Sequence, residues 1–243
     1  MRKRAIYIRF LHKWLGLLLG LQVLIWLSSG LYMVLLDIDF IHGDSLVKNM
    51  QQTVAMPQNS AIDMAGLRAR YANATAIRLI PVMGKTHFAV STPDKNILID
   101  PESGNVISPL DEKTSTEIAR YHFNGDAGVK KARLITSDPP MEIQTRQLPL
   151  WRVDFDDGYN TSFYVDPFTG TLITRRFQYW RIFDFMWMLH IMDYQERANA
   201  HNLLLKSAQA SSLLFCISGL WLLFYSFSGR RRKDPNRKAM GGP

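Results

Sequence analysis

Two long apolar runs interrupt an otherwise mixed pattern of hydrophobic and polar residues. The first covers residues 15–36 and reads LGLLLGLQVLIWLSSGLYMVLL, and the second covers roughly residues 203–227 and reads LLLKSAQASSLLFCISGLWLLFYSF, with Lys206 near its start. At 1.5 Å per residue, a helix of about 20 residues crosses the roughly 30 Å of hydrocarbon in a bilayer. The pattern therefore predicts two transmembrane helices.

A cleaved signal peptide is the alternative explanation of the first run, because basic residues precede it. The run is longer than the apolar core of a signal peptide, and no cleavage site of small residues follows it. The sequence continues instead as LDIDFIHGD. We therefore expect a retained membrane helix.

The positive charge of the chain lies at its two ends. The net charge of the 243 residues is +8; residues 1–13 and residues 229–243 each contribute +5, which leaves −2 between them. Basic tails beside apolar runs follow the positive-inside rule, whereas a nucleic-acid surface would need its basic residues inside a folded domain. We expect both tails in the cytosol, beside anionic lipid, and no nucleic-acid partner.

The region between the two runs contains a repeat at an offset of 66 residues. Residues 99–108 read IDPESGNVIS and residues 165–174 read VDPFTGTLIT. Each predicts a strand, a turn with Asp, Pro and Gly in their preferred positions, and a second strand. A hairpin pattern precedes each match, and helical patterns lie near residues 63–71 and 112–123. The sequence predicts an α+β fold made of two units, each an antiparallel sheet with a helix.

These patterns divide the chain into seven segments. They are a cytosolic tail (1–14), the first span (15–36), two α+β repeats (37–110 and 111–176), an interfacial helical segment (177–202), the second span (203–227) and a second cytosolic tail (228–243).

Small residues recur at helical spacing in both spans. Gly16 and Gly20 are four residues apart, as are Ala208, Ser212 and Cys216. Small residues let membrane helices approach closely. We expect packing either between the two spans or between two chains, which would form a homodimer. Cys216 is the only cysteine, so one chain has no disulfide and no cysteine-based metal cluster.

The chain resembles the PepSY family, and more closely its PepSY-associated transmembrane proteins. The resemblance is carried by LPLWRVDFDDGYNTSFYVDPFTGTLI, RFLHKWLGLLLGLQVLIWLSSGLYM, LHIMDYQERANAHN and ISGLWLLFYSF, and it covers nearly the whole chain. It implies a bacterial inner-membrane protein linked to iron acquisition. Some members resemble ferric-siderophore reductases with b-type haem between membrane histidines, and other PepSY units resemble inhibitory or chaperoning modules beside peptidases.

The histidines are the candidates for cofactor chemistry. The sequence has no GxGxxG, GxxxxGK[ST], GxSxG or HExxH motif, which disfavours acyl and phosphoryl transfer. His12 shares a helix face with Gly16 and Gly20, where a neighbouring helix or a flat cofactor can approach. The alternative for His12 is a polar residue at the headgroup boundary.

His190 and His201 lie 11 residues apart, and no glycine or proline occurs between Gly170 and Gly219. A single long helix would present both rings, with Asp193 and Arg197, on nearly one face. By the resemblance, His12, His190 and His201 are expected as haem ligands. The alternative is an Asp193–Arg197 pair on a solvated helix face, with incidental histidines.

A cluster of metal-binding side chains follows the first span, formed by Asp37, Asp39, His42 and Asp44. Carboxylates with an imidazole suit iron, which would arrive on the extracytoplasmic side. The alternative is an ordinary acidic segment on the translocated side of a membrane helix.

Two functions agree with these observations. The first is electron transfer in the bacterial inner membrane, in which a dimer or a membrane complex containing haem b helps to reduce ferric iron at the periplasmic face for uptake; the protein would then be a ferric reductase or a subunit of one. The second is a non-enzymatic, membrane-anchored module that regulates a peptidase or a transporter. A pure anchor has no need of His12, His190 and His201 near its spans.

The charge pattern generates a testable topology. A reporter that is active only in the periplasm should be active when fused after Asp126 and silent when fused after Lys238, because basic flanks stay in the cytosol. The opposite pattern of reporter activity would contradict the argument from charge.

Overall fold

The computed structural model of the protein describes residues 2–49, 51–57 and 60–230. These residues form two compact units. The membrane unit holds the residues up to Leu35 together with those from Phe185 onward, and the central domain is Leu36–Asp184. The predicted C-terminal tail lies outside the described residues from position 231.

Six α-helices, two short 3-10 helices (Asp44–Leu46 and Met141–Ile143) and seven strands are described. The helices are α1 (Arg2–Leu35), α2 (Ile38–His42), α3 (Met64–Arg70), α4 (Glu112–His122), α5 (Gln178–Ile191) and α6 (Leu203–Arg230). The strands are β1 (Ala76–Val82), β2 (Lys85–Ser91), β3 (Asn96–Ile99), β4 (Val129–Ile135), β5 (Leu150–Phe155), β6 (Ser162–Val165) and β7 (Leu172–Arg176).

Helices α1 and α6 are each long and apolar enough to cross a membrane, over Ile6–Leu35 and Leu203–Phe224. They pack against each other within the membrane unit. The buried or half-buried residues of α6 follow alternating spacings of three and four residues, at Leu205, Ala208, Ser212, Phe215, Gly219 and Leu222, with Ser211 and Ser218 beside this line. This repeat of 3.5 residues keeps one face of a helix against its neighbour over many turns.

The small-residue pattern of the sequence agrees with this packing only in part. Ala208 and Ser212 lie on the shielded face of α6, but Cys216 is exposed, because a spacing of four drifts off a face that repeats every 3.5 residues. A Cβ atom placed on Gly16 would lie 3.0 Å from the Phe215 ring, whereas one placed on Gly20 would meet no described atom within 4 Å. Gly16 therefore serves the contact between the two spans of one chain.

The central domain contains two antiparallel sheets, with strand orders β1-β2-β3 and β4-β5-β6-β7. The predicted hairpins are present as β2–β3 and β5–β6. The predicted helices are α3 and α4, which begin after Asp63 and Asp111; each of these carboxylates accepts a hydrogen bond from a backbone N–H in the first turn. With its two candidate spans, the chain has the expected α+β architecture.

The repeated turn has the same geometry in both sheets. Gly104 and Gly170 have φ angles of 70° and 68°, and each backbone N–H donates to the carbonyl of the aspartate four residues earlier at 2.8 Å. The repeats differ after the turn. The second continues into β7, whereas the first forms only an isolated bridge between Ile99 and Val106.

The two repeats share one hydrophobic core. Helix α4 packs on the second sheet through Ile118 and Ala119, both fully buried, and the first sheet contributes Val82 and Leu98 to the same cluster. Phe123, Phe155 and Phe163 stack or meet edge to face beside them. Because both sheets contribute to this cluster, the two repeats form one folding unit, although the first sheet also packs in a second cluster around Leu67 of α3.

A buried ionic network lies on the second sheet around Glu142, whose side chain is 10% exposed. Its carboxylate accepts from Arg181 Nε at 2.7 Å and from the Tyr164 hydroxyl, and it pairs with Arg152 at 3.3 Å. Burial raises the pKa of Glu142, but hydrogen bonds from Arg181 and Tyr164 and the nearby arginine charges outweigh it, so the pKa lies below its ordinary value. Burial and the charge of Glu142 raise the pKa of Tyr164.

Replacing Glu142 should destabilise the central domain. Glu142→Ala leaves the half-buried guanidinium groups of Arg152 and Arg181 without this carboxylate, at a cost of up to about 3 kcal/mol. The measurement is thermal unfolding of the full-length protein in detergent, with Glu117→Ala, an exposed site on α4, as the matched control.

The same pair of variants tests the pH dependence. Because the pKa of Glu142 is lowered on folding, its stabilisation is present above the unfolded-state pKa and is lost as the pH falls through the folded-state pKa. Glu142→Ala should therefore lose less stability on acidification than the wild type. Equal unfolding temperatures for Glu142→Ala and Glu117→Ala would contradict the importance of the network.

The two glycines of α1 should respond differently to a larger side chain. Gly16→Leu should push α1 away from Phe215 and lower the free energy of unfolding by about 1–3 kcal/mol, the usual cost of overpacking. Gly20→Leu should leave the packing inside one chain unchanged. Thermal unfolding in detergent measures both effects, and equal destabilisation by the two variants would contradict the assigned contact. Crosslinking then reports whether Gly20→Leu weakens a dimer.

Candidate functional site

His12 lies in α1 with its ring held against α6. The imidazole stacks on Phe215 with ring centroids 4.2 Å apart and an angle of 5° between the planes. Its Nδ1 is 2.7 Å from the hydroxyl of Ser218. A Cβ atom placed on Gly219 would lie 3.0 Å from His12 Cε1, so the absence of a side chain there makes room for the ring. The ring is therefore fixed in position and in rotation.

His190 lies near the C-terminal end of α5 and is held against α1. Its Nδ1 is 3.0 Å from the hydroxyl of Ser29. A Cβ atom placed on Gly30 would lie 3.5 Å from His190 Cε1. The backbone carbonyl of His190 accepts a hydrogen bond from Trp26 Nε1 at 2.9 Å. Ring and backbone are thus both anchored to the same two turns of α1.

The two histidines contact the same short sequence, which occurs once in each span. Residues 29–32 read SGLY and residues 218–221 read SGLW. In each, the serine lies within hydrogen-bond distance of the histidine Nδ1, and the glycine faces the ring. We call residues 29–30 and residues 218–219 the serine–glycine pairs. Helical spacing around the histidines does not predict these pairs; the signal for them in the sequence is the repeated pattern of Ser, Gly, Leu and an aromatic residue in both spans.

The two sites lie at different depths of the membrane unit. His12 and Ser29 are 17 positions apart on α1, which corresponds to about 26 Å along the helix axis. Beside His12 an open groove of about 460 Å³ is lined by Arg9, Gly219, Leu222, Leu223 and Ser226. His12 and His190 therefore belong to the same unit, but their rings are too far apart to bind one metal ion.

The expectation of one continuous helix from His190 to His201 is wrong. Helix α5 ends at Ile191, Met192 has a φ of 54°, and α6 begins only at Leu203. Asp193 causes the break, because its carboxylate accepts hydrogen bonds from backbone N–H groups of the following turns, including those of Ala198 and Asn199. These N–H donors, with that of Asn199 first, also lower the pKa of Asp193.

His201 consequently lies in a loop and not on the face of His190. Its ring is exposed, and its backbone N–H donates to the side chain of Asn199 at 2.8 Å. Asn202 closes the loop by accepting from the Leu205 N–H at the start of α6 and donating to the Ile191 carbonyl. The structure therefore holds His190 by contacts around its ring and leaves His201 at the surface.

The acidic cluster after the first span is anchored in the central domain. Asp37 caps α2 by accepting from the backbone N–H groups of Asp39 and Phe40. Asp44 forms an ion pair with Arg175 of β7, and the same guanidinium donates to the carbonyls of His42 and Gly43. Two of the four expected iron ligands thus have structural partners.

Across the described ranges, no group of three or more His, Cys, Asp or Glu side chains is close enough together to hold a metal ion. This applies to the cluster of Asp37, Asp39, His42 and Asp44 as it stands. Asp39 and His42 are exposed on α2, and the Asp44 side chain is 55% exposed. Iron binding by these four residues stays a prediction, which would require their side chains to reorient.

Comparison with known proteins agrees with this architecture. No curated protein and no solved structure matches the chain. A family model described as the PepSY-associated TM region matches residues 9–239, which include both spans, the central domain and both serine–glycine pairs. The match extends over most of the chain, and on this ground the protein is a membrane protein that belongs to the family of the PepSY-associated TM region.

Proposed function

We propose that the protein transfers electrons in the bacterial inner membrane and assists the reduction of ferric iron at the periplasmic face. The observation that carries the proposal is the pair of histidines His12 and His190, each fixed by a serine and a glycine at one of two levels of the membrane unit. Imidazoles fixed by a second hydrogen bond are typical ligands of a metal centre.

The histidines fit haem b if two copies of the chain come together. Haem b, if bound, would be held by two histidine side chains. His12 and His190 are separated by about 26 Å along α1, so they do not meet at one iron. A two-fold dimer would place two copies of His12 at one level and two copies of His190 at the other. This arrangement is the basis for proposing a homodimer.

Haem, when bound, supplies one-electron exchange. The chain's own residues would hold it and exclude water. His12 and His190 fix the two levels, and the outward faces of α1 and α6 expose large apolar side chains suited to lipid, among them Leu17, Leu18, Leu21, Leu213, Leu214 and Leu220. Arg9 lies in the groove beside His12 and adds a positive charge at that end of the span.

Ferric iron enters this proposal as the substrate. The carboxylates of Asp37, Asp39 and Asp44 give the segment after the first span a negative charge, and His42 lies among them. Carboxylate oxygens suit hard cations such as ferric iron. In the expected topology, this segment lies on the periplasmic side.

The alternative is a non-enzymatic module that binds a peptidase or a transporter. A groove of about 630 Å³ in the central domain favours it; residues of the first repeat line most of it, including Met56, Met83, His87 and Glu102, and Thr114 of the second repeat closes one side. Met56 is 69% exposed there. An extended peptide segment of a partner protein would suit such a groove.

A visible absorption spectrum tests the proposal directly. The purified full-length protein, reduced with dithionite, should give sharp haem bands that His12→Ala and His190→Ala each weaken or abolish, because each variant removes a ligand at one level. His201→Ala should keep the bands, since its ring is exposed in the loop. His87→Ala, which changes a histidine of the central domain, is the matched control.

Cellular iron reduction decides between the outcomes. Cells without the protein should reduce less external ferric iron. A colourless protein with normal cellular reduction in its absence would contradict the proposal and favour the interaction module. A colourless protein with lost reduction would point to an accessory role, and Asp37→Asn, Asp39→Asn and Asp44→Asn would then be the next variants.

A further inference from the structure

We infer that the two serine–glycine pairs hold His12 and His190 as the tautomer with the proton on Nδ1, which leaves the Nε2 lone pair of each ring for a ligand. The inference deepens the proposed function, and it rests on that function only for the identity of the ligand. The tautomer follows from the hydrogen bonds of the two serines.

The proton assignment comes from counting hydrogens on the serine hydroxyls. Each hydroxyl has a single hydrogen. Ser218 donates its hydrogen to the carbonyl of Phe215 at 2.7 Å. Ser29 donates its hydrogen to the carbonyl of Ile25 at 2.7 Å, with the Trp26 carbonyl at 3.2 Å. Such bonds to the preceding helical turn are common for serine inside a membrane helix.

The histidine nitrogens must therefore be the donors. Nδ1 of His12 lies 2.7 Å from Ser218 Oγ, and Nδ1 of His190 lies 3.0 Å from Ser29 Oγ. With the hydroxyl hydrogens already given to the backbone, a contact at these distances is favourable only if Nδ1 carries the proton and the serine oxygen accepts it. In a neutral ring, Nε2 then carries the lone pair.

The glycines complete the arrangement. Gly219 and Gly30 let the Cε1 edge of each ring come within 3.0 and 3.5 Å of the position where a Cβ atom would stand. The Phe215 ring covers one face of His12 in addition. The serine thus sets which nitrogen is protonated at both rings. At His12 the glycine also sets how closely the ring approaches the helix, whereas the 3.5 Å at Gly30 is an ordinary van der Waals contact. Ser29 and Ser218 are accordingly positioning residues.

A metal centre needs this arrangement of its histidines. A ligating imidazole usually donates its second ring N–H to a fixed acceptor, which sets the tautomer and the direction of the lone pair, and loss of that acceptor typically lowers metal affinity about 10- to 100-fold. The structure contains this contact between a histidine Nδ1 and a serine hydroxyl twice, and the two histidines come from different helices. Structural packing alone does not require one tautomer at both levels.

The first experiment determines the tautomers without any haem. Full-length protein labelled with ¹⁵N-histidine is prepared under haem-free conditions in lipid bilayers, and the ring nitrogen shifts are assigned with the His12→Gln and His190→Gln variants. Both histidines should show a protonated Nδ1 and an unprotonated Nε2. Ser218→Ala should change the tautomer of His12 only, and Ser29→Ala that of His190 only.

Matched variants separate tautomer control from general disturbance. Ser218→Thr and Ser29→Thr keep the hydroxyl and should keep the tautomers, whereas Ser28→Ala, at an exposed neighbouring position, should change neither ring. A wild-type protein with the proton on Nε2 of both rings would overturn the inference. So would unchanged shifts in both serine-to-alanine variants.

The second experiment adds haem and distinguishes this inference from the proposed function. If haem binds, Ser218→Ala and Ser29→Ala should each weaken its affinity about 10- to 100-fold and shift the reduction potential, and the threonine variants should restore both. Haem binding with wild-type affinity and potential in both alanine variants would overturn the inference while the proposed function stands. The predicted tautomers in a protein that takes up no haem would uphold the inference and overturn the proposed ligand.

Discussion

The contact of a histidine ring with a serine–glycine pair of a neighbouring helix is the interaction on which the packing of the membrane unit depends. It occurs at His12 with Gly219 and at His190 with Gly30, and in both cases the preceding serine engages the ring nitrogen. Helices in lipid gain little from burying apolar surface against each other, so close packing and hydrogen bonds between helices determine their association. The histidines supply both within the unit.

The spans, the predicted hairpins and the repeated turn were predictable because their signals are local. A charge-free run of 22 residues, or the D-P-x-[ST]-G sequence, specifies its structure almost independently of the rest of the chain. Strands β1 and β4 were not predicted. Much of β4 is basic and exposed, with Lys130, Lys131 and Arg133 pointing outward, and its pairing with β5 is a tertiary interaction that the periodicity of one strand does not encode.

The positions of the histidines and of Cys216 could not be predicted from residue spacing alone, because they depend on tertiary contacts. His190 and His201 seemed to share a helix because no glycine or proline lies between them, yet the carboxylate of Asp193 captures backbone N–H groups and ends α5. The spacing of four residues predicted Cys216 on the packed face of α6 with Ala208 and Ser212. Cys216 is exposed instead, because that face repeats every 3.5 residues. Each histidine contacts a serine–glycine pair that is far away in the sequence. The repeated SGL sequence was the signal in the chain that indicated these contacts.

The central claim is that two copies of this chain join their fixed histidines around haem. The most direct measurement is the haem content of the purified full-length protein, determined together with the mass of the protein in its detergent particle. The account predicts about one haem per chain in a particle that contains two chains, because each level of a dimer offers two imidazoles to one iron. A haem-free dimer, or haem bound with full occupancy in a particle of one chain, would contradict it.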